Sequence, residues 1–191
     1  MGDNILTQLT EVNSLFLAQY VSFGDTVIDG TMGNGIDSLK LIRLIGDEGK
    51  LYSFDIQREA VNRTEKLLIR EKINKDCFVL INDSHENIYR YVSVPISAAV
   101  FNLGYLPEGD HSITTESRST LIALKSCLNL LKKNGIISIM LYEGHLKGSH
   151  EKKTLLEFAR NLDKQKYHTL YLNMINQKKQ PPSLLFITRK I

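Results

Sequence analysis

The chain has 191 residues, 42% hydrophobic and 24% charged, which fits one globular unit and excludes a disordered or fibrous protein. No apolar run approaches the roughly 20 residues of a membrane-spanning helix, and the N-terminus lacks the basic region of a signal peptide, so a cytoplasmic protein is expected. The net charge of +3 conceals an asymmetry: residues 1–124 hold 11 Lys and Arg against 17 Asp and Glu, whereas residues 125–191 hold 13 against 4. Basic residues gathered in one third of a chain point to a polyanionic partner or to a solvated basic face.

In chain order, Ile5, Leu9, Val12 and Phe16 recur at helical spacing, which predicts an amphipathic helix over 4–21 that packs on a single domain spanning 1–191. Thr26–Asp29 reads as a short β-branched strand ending in an acid, and Ile36–Leu44 as a helix. Lys50–Phe54 is a second strand closed by Asp55, followed by a helix over 57–72 with Ala60, Val61, Thr64, Leu67 and Leu68 on one face. Strands follow at Cys77–Ile81 and Ser97–Phe101, the latter ending at Asn102 and leading into the Gly104–Asp110 loop. A Leu-rich helix over 116–132 is expected to stop at Asn134-Gly135. Ile136–Tyr142 is a fifth strand, 149–164 a basic helix, and Tyr167–Asn173 with Leu184–Arg189 an antiparallel hairpin. Strands alternating with helices predict a mostly parallel sheet covered on both faces, of α/β class. Cys77 and Cys127 lie 50 residues apart, form no metal-spaced pair, and read as buried thiols in a reducing compartment.

The strongest motif is Asp29-Gly30-Thr31-Met32-Gly33-Asn34-Gly35, between a strand and a helix, where glycines permit a tight turn and close approach to a ligand. A dinucleotide fingerprint requires a third glycine where this chain has Ser38, and the loop carries no basic residue for a pyrophosphate. Asp29 instead suits a cationic group such as the amine and sulfonium of S-adenosylmethionine. Asp55, 20 residues past Gly35, is placed to accept from ribose hydroxyls, with Gln57 beside it. Asp83-Ser84-His85 closes the third strand and offers polar groups to an adenine, or caps to a helix. Tyr142-Glu143-Gly144-His145 falls on the same C-terminal rim. Asp110 and His111 are candidates to hold or deprotonate an incoming group, and Lys147, Lys152, Lys153, Lys178, Lys179 and Pro181 are candidates for phosphate contacts.

The segment Phe101-Asn102-Leu103-Gly104-Tyr105-Leu106-Pro107 resembles the Asn-Pro-Pro-Tyr loop of nitrogen-directed methyltransferases. An attacking amine must point its lone pair at the methyl group, and the Asn102 side-chain oxygen with the Leu103 carbonyl can fix that direction. Tyr105 can stack on a base. Leu103-Gly104 stand in place of Pro-Pro, and the room that Gly104 leaves suits a flexible alkylamine.

Across nearly its whole length the chain resembles bacterial proteins long labelled rRNA methylases and now assigned as tRNA 5-(aminomethyl)-2-thiouridine methyltransferases, the MnmM type. The Gly loop through Asp37, Phe54-Asp55-Ile56-Gln57, Asn102 to Pro107, Gly109-Asp110-His111, Tyr142 to His145 and Pro181-Pro182 carry the resemblance. It implies a Rossmann-like class I methyltransferase fold with a seven-stranded sheet and a terminal antiparallel hairpin. It further implies S-adenosylmethionine as cofactor, the anticodon loop of tRNA as partner and a homodimer, with no metal. The implied cofactor residues are Asp29, Thr31, Gly33, Asn34, Gly35, Asp37, Asp55, Gln57, Asp83, Ser84, His85 and Asn102. The implied catalytic residues are Asn102, Tyr105, Asp110 and His111. The implied substrate contacts are Leu103, Gly104, Tyr105, His111, Tyr142, His145 and the basic residues named above with Pro181. The rivals are an rRNA or small-molecule N-methyltransferase, an NAD-dependent oxidoreductase, which Ser38 and the terminal hairpin oppose, and a non-catalytic RNA-binding module.

Overall fold

The computed structural model describes residues 8–104, 116–142, 146–177 and 181–191. Helices α1 (Leu9–Tyr20), α2 (Ile36–Ile45), α3 (Arg58–Arg70), α4 (Ile88–Tyr91), α5 (Ser117–Leu130) and α6 (Leu146–Arg160) surround strands β1 (Thr26–Asp29), β2 (Lys50–Phe54), β3 (Phe78–Ile81), β4 (Ile96–Asn102), β5 (Leu131–Leu141), β6 (Tyr167–Leu172) and β7 (Ser183–Arg189). Among the described residues the strands form one sheet in the order β3-β2-β1-β4-β5-β7-β6, parallel except where β7 runs against β5 and β6. This is the Rossmann-like arrangement with the terminal hairpin inserted at one edge.

The alternation of side chains along each strand sorts the core into two layers. Ala99, Phe101, Ile137, Ile139, Leu185 and Ile187 face α4, α5 and α6. Val27, Leu51, Ala98, Val100, Ile136, Met140 and Phe186 face α1, α2 and α3. The central strand β4 is buried at six of its seven positions, which is why it reads as a continuous apolar run rather than an alternating one. Helix α1 is fixed by the Phe16–Phe186 ring stack, centroids 4.5 Å apart, and by the buried bond from Ser138 Oγ to Asn13 Oδ1 at 2.6 Å.

Several boundaries differ from the sequence expectation. The Leu-rich helix ends at Leu130, and Asn134-Gly135 lies inside β5. Leu131 already pairs with Ile96, and an irregularity in register follows before Ala98 pairs with Ile136. The left-handed residue there is Asn134, φ 59°, whereas a Cβ on Gly135 would come within 2.7 Å of Leu131 Cδ1. The Asn-Gly pair therefore kinks a strand and is not a helix cap. Helix α6 starts three residues before the expected 149 and stops at Arg160. The third strand begins at Phe78, because Cys77 closes a 3-10 turn over Lys75–Cys77. A second 3-10 turn, His85–Asn87, and α4 fill the connection from β3 to β4, where the sequence shows no helical periodicity. No helix among the described residues is long and apolar enough to cross a membrane.

Candidate active site

The C-terminal ends of β1, β2, β3, β4 and β5 share one rim, because these strands are parallel. Asp29, Asp55, Asp83, Asn102 and Tyr142 all lie at or just past those ends, in the place where open α/β sheets bind ligands.

The Gly30–Gly35 loop is shaped from both neighbouring strands. Gly30 N–H donates to Val100 O at 2.8 Å and Met32 N–H to Phe54 O at 2.9 Å. Gly35 begins α2 in the left-handed region, φ 80°, and its missing Cβ leaves room for Thr64 Oγ1, which would stand only 2.8 Å from one. Thr64 Oγ1 in turn donates to Gly33 O at 3.2 Å.

Three carboxylates crowd this turn. Asp29 is buried, accepting from Thr31 N–H at 3.1 Å and from Ser38 Oγ at 2.6 Å, while Ser38 Oγ also sits 2.9 Å from Ser53 Oγ. Burial first, then the charge of Asp37, pushes the Asp29 carboxyl up to about 7 despite the bonds from Ser38 and Thr31. Burial also raises Asp37, opposed by Asn102 and Lys40, and raises Asp55, opposed by backbone N–H groups of Gln57, Gly33 and Ile56. Asp55 accepts from Gly33 N–H at 3.1 Å and Gln57 N–H at 2.9 Å, so it ties the Gly loop to the start of α3. Carboxylates held above their ordinary range by burial and mutual repulsion gain from a cationic ligand. Among the described residues no three His, Cys, Asp or Glu side chains converge as a metal site.

The Asn102-Leu103-Gly104 segment, the candidate acceptor loop, is joined to the Gly loop directly. Asn102 N–H donates to Thr31 Oγ1 at 2.7 Å, and Asn102 Nδ2 faces Asp37 Oδ2 at 3.4 Å. The carboxylate fixes the amide's orientation, which leaves Asn102 Oδ1 to accept from another group. Leu103 is buried, with its N–H on Met140 O at 3.1 Å. Gly104 takes φ 151°, and a Cβ there would meet Tyr142 Cδ2 at 3.9 Å, so Tyr142, exposed after β5, borders this loop.

The Asp83-Ser84-His85 segment divides its work. Burial raises the Asp83 carboxyl, but hydrogen bonds from Asn87, Tyr91 and Ser84 outweigh it and hold Asp83 below the ordinary carboxylate range. Ser84 Oγ caps the 3-10 turn by accepting from Glu86 N–H at 3.3 Å. His85 Nδ1 lies 3.1 Å from Gly30 O, which only accepts, so this nitrogen carries the proton. Burial depresses the ring to about 4, against the raising effect of that bond, and leaves a neutral imidazole whose Nε2 is buried without a partner among the described residues.

Of the remaining candidates, Asn34 Oδ1 accepts from Arg63 Nη1 at 3.0 Å, and Gln57 is half-buried at the start of α3. Lys152 Nζ lies 5.2 Å above the Tyr171 ring, Lys153 is exposed on α6, and Pro181 is half-buried before β7. Tyr105, Asp110, His111, His145, Lys178, Lys179 and the Lys147 side chain lie outside the described residues. Sequence reasoning missed Ser38 and Arg63. Ser38 stood out only as an absent glycine, and Arg63 is the basic residue beside the Gly loop, supplied from α3 and also paired with Glu59.

A seven-stranded Rossmann-like sheet with a terminal hairpin and a carboxylate-lined Gly loop joined to an Asn-headed acceptor loop defines the class of S-adenosylmethionine-dependent methyltransferases. Residues 51–188 match the family described as "Putative rRNA methylase", and the chain belongs to that family. It is 34% identical over 190 residues, 95% of this chain and 69% of the other, to the chloroplastic tRNA (mnm(5)s(2)U34)-methyltransferase of Arabidopsis thaliana. A Clostridium thermocellum protein, described like the family as an rRNA methylase, superposes with a TM-score of 0.92 at 38% identity over 99% of both chains. A Streptococcus mutans protein described as a methyltransferase, in complex with SAH, superposes with a TM-score of 0.87 at 36% identity, again over 99% of both.

Proposed function

We propose that this protein uses S-adenosylmethionine to methylate the amine of a 5-aminomethyl-2-thiouridine at the wobble position of tRNA. The observation that carries the reading is Asn102, pinned through its backbone to Thr31 and through its Nδ2 to Asp37, with Oδ1 left at the rim. The donor set fits the cofactor: buried carboxylates with raised pKa values suit its cationic end, and Asp55 suits its ribose. When bound, the cofactor supplies an electrophilic methyl group on a positively charged sulfur.

In this reading Asn102 Oδ1 and the Leu103 carbonyl accept the N–H groups of the deprotonated substrate amine and so direct its lone pair. Gly104 leaves space for a flexible arm, and Tyr142 walls the pocket against it. Tyr105 stacks on the extruded base, and Asp110 or His111 holds the amine as its proton leaves to water. Lys152 and Lys153 contact phosphates. The relative named as a tRNA (mnm(5)s(2)U34)-methyltransferase supports the tRNA substrate, while the family description favours ribosomal RNA as the second reading. Free buried thiols at Cys77 and Cys127 suit a reducing compartment such as the cytoplasm.

The two readings separate in one assay. Purified protein with methyl-labelled S-adenosylmethionine is given unmodified ribosomal RNA or tRNA bearing the aminomethyl wobble uridine, and the RNA is digested to nucleosides. Label in the wobble nucleoside alone is expected; label in a ribosomal nucleoside alone moves the second reading into first place.

A further inference from the structure

Among the described residues, the cations of the basic third extend well beyond the catalytic rim. Helix α6 starts at that rim, just past β5, and runs back along the sheet to Arg160 before β6 begins at Tyr167. Its 15 residues span about 22 Å at 1.5 Å per residue. Leu155 and Ala159 pack into the core, and Glu151 is buried against Thr120 Oγ1 at 2.8 Å. The opposite side is exposed, with Lys153, Glu157 and Arg160 following one another at helical spacing and Lys164 exposed in the turn after the helix. Lys153, Arg160 and Lys164 make no ion pair with any described residue. Lys166, exposed in the turn after α6, stands 3.9 Å from Asp163, and Lys190 Nζ reaches Lys164 O and brings the last strand's end to the same place. Tyr171, on the neighbouring edge strand β6, is 36% exposed with Lys152 above its ring.

We infer that the exposed face of α6 and the turn after it form a track for the phosphate backbone of an RNA stem, running from the catalytic rim to the far pole of the sheet. The inference rests on the RNA reading above and adds Arg160, Lys164 and Lys166 to the interface. Positive charges at Lys153, Arg160, Lys164 and Lys166, with Glu157 between the first two, lead away from the rim and match a polyanion whose single-stranded loop enters the site while its paired stem continues outward. A duplex is held through its backbone and shape rather than its bases, and a line of Lys and Arg on a helix supplies that contact. The track also accounts for basic residues at the end of the sheet remote from chemistry, where a catalytic role has no reach.

The test compares wild type with the triple variant Arg160→Glu, Lys164→Glu, Lys166→Glu, and with Lys66→Glu, Arg70→Glu on the exposed face of α3 as control. Binding of a stem-loop RNA is measured against salt concentration, together with KM and kcat for methyl transfer to that RNA and to its loop excised without the stem. The triple variant is expected to weaken stem-loop binding about tenfold or more and to flatten the salt slope by about 2 to 3. The loss falls on KM and disappears for the excised loop. Wild-type affinity for S-adenosylmethionine shows that the triple variant is folded, and the α3 control stays within about twofold of wild type in every measurement. A triple variant whose salt slope and KM match wild type overturns the track while leaving the RNA reading intact. A wild-type protein that neither binds nor methylates the stem-loop overturns both, and equal losses in the α3 control reduce the effect to net charge and overturn the track alone.

Discussion

Ser38 marks the point where a missing residue turned into a positive one. In the sequence it is the position at which a dinucleotide fingerprint fails; in the fold its hydroxyl bridges Asp29 and Ser53. Asp29 is thereby held buried with a carboxyl raised to about 7, mainly by burial and next by Asp37. Its folded pKa lies above its unfolded value, so the folded state binds the proton more tightly. The stability this group contributes is therefore present at low pH and declines as pH rises from about 4 through 7. A cationic ligand requires the ionised form. Calorimetric titration across this range should show S-adenosylmethionine affinity rising with pH, by at most about tenfold per unit, and levelling above about 7. The isosteric Asp29→Asn variant should lose that rise, and its unfolding free energy should fall less with pH over the same window than that of wild type. A rise kept by Asp29→Asn would assign the proton to Asp37 or Asp55 instead. That Asp29 and Asp55 sit at strand ends was legible in the sequence. That Asp29 is buried was not, because burial depends on Ser53 and Ser38 arriving from two other elements.

At the scale of elements, the three motifs read separately prove to be one hydrogen-bonded unit. Thr31 Oγ1 receives Asn102 N–H, Gly30 O receives His85 Nδ1–H, and Asp37 faces Asn102 Nδ2. Gly30 is where they meet most tightly: a Cβ there would lie 2.2 Å from Phe101 Cε1, in a ring that is fully buried and packed edge-on to His85 at 5.8 Å. Gly30→Ala should therefore lower the unfolding free energy by about 1–3 kcal/mol, seen as an earlier urea midpoint with an unchanged slope. A midpoint equal to wild type would show that Phe101 gives way at no cost. Strand and helix order was legible because β1 to β5 are short apolar or β-branched runs, and because α3 repeats its apolar residues at helical spacing. The short helix α4 and the Asn134 kink were not, since four residues carry no periodicity and Asn-Gly serves a bent strand as well as a helix end.

In the proposed reading, the described residues separate recognition from chemistry along the strand axis. Carboxylates line the rim at the ends of β1 and β2, and cations follow α6 away from it toward Lys164, Lys166 and Lys190. The charge asymmetry of the sequence announced the cations but not their direction, because only the antiparallel run of α6 against β5 decides which pole they reach. In the proposed reading, an acidic cofactor site and a basic substrate surface are kept apart, and the βα crossover provides that distance. Within this layout Asn102 is the residue at which cofactor rim and acceptor loop coincide. The most direct measurement is single-turnover methyl transfer to the aminomethyl wobble uridine of tRNA by wild type and Asn102→Ala, with cofactor affinity measured beside it. The account predicts a rate lower by about 100-fold or more with cofactor affinity within about threefold of wild type, the size expected when orientation and proton handling of a nucleophile are lost. A variant that transfers methyl at the wild-type rate would contradict the account and remove Asn102 from the chemistry.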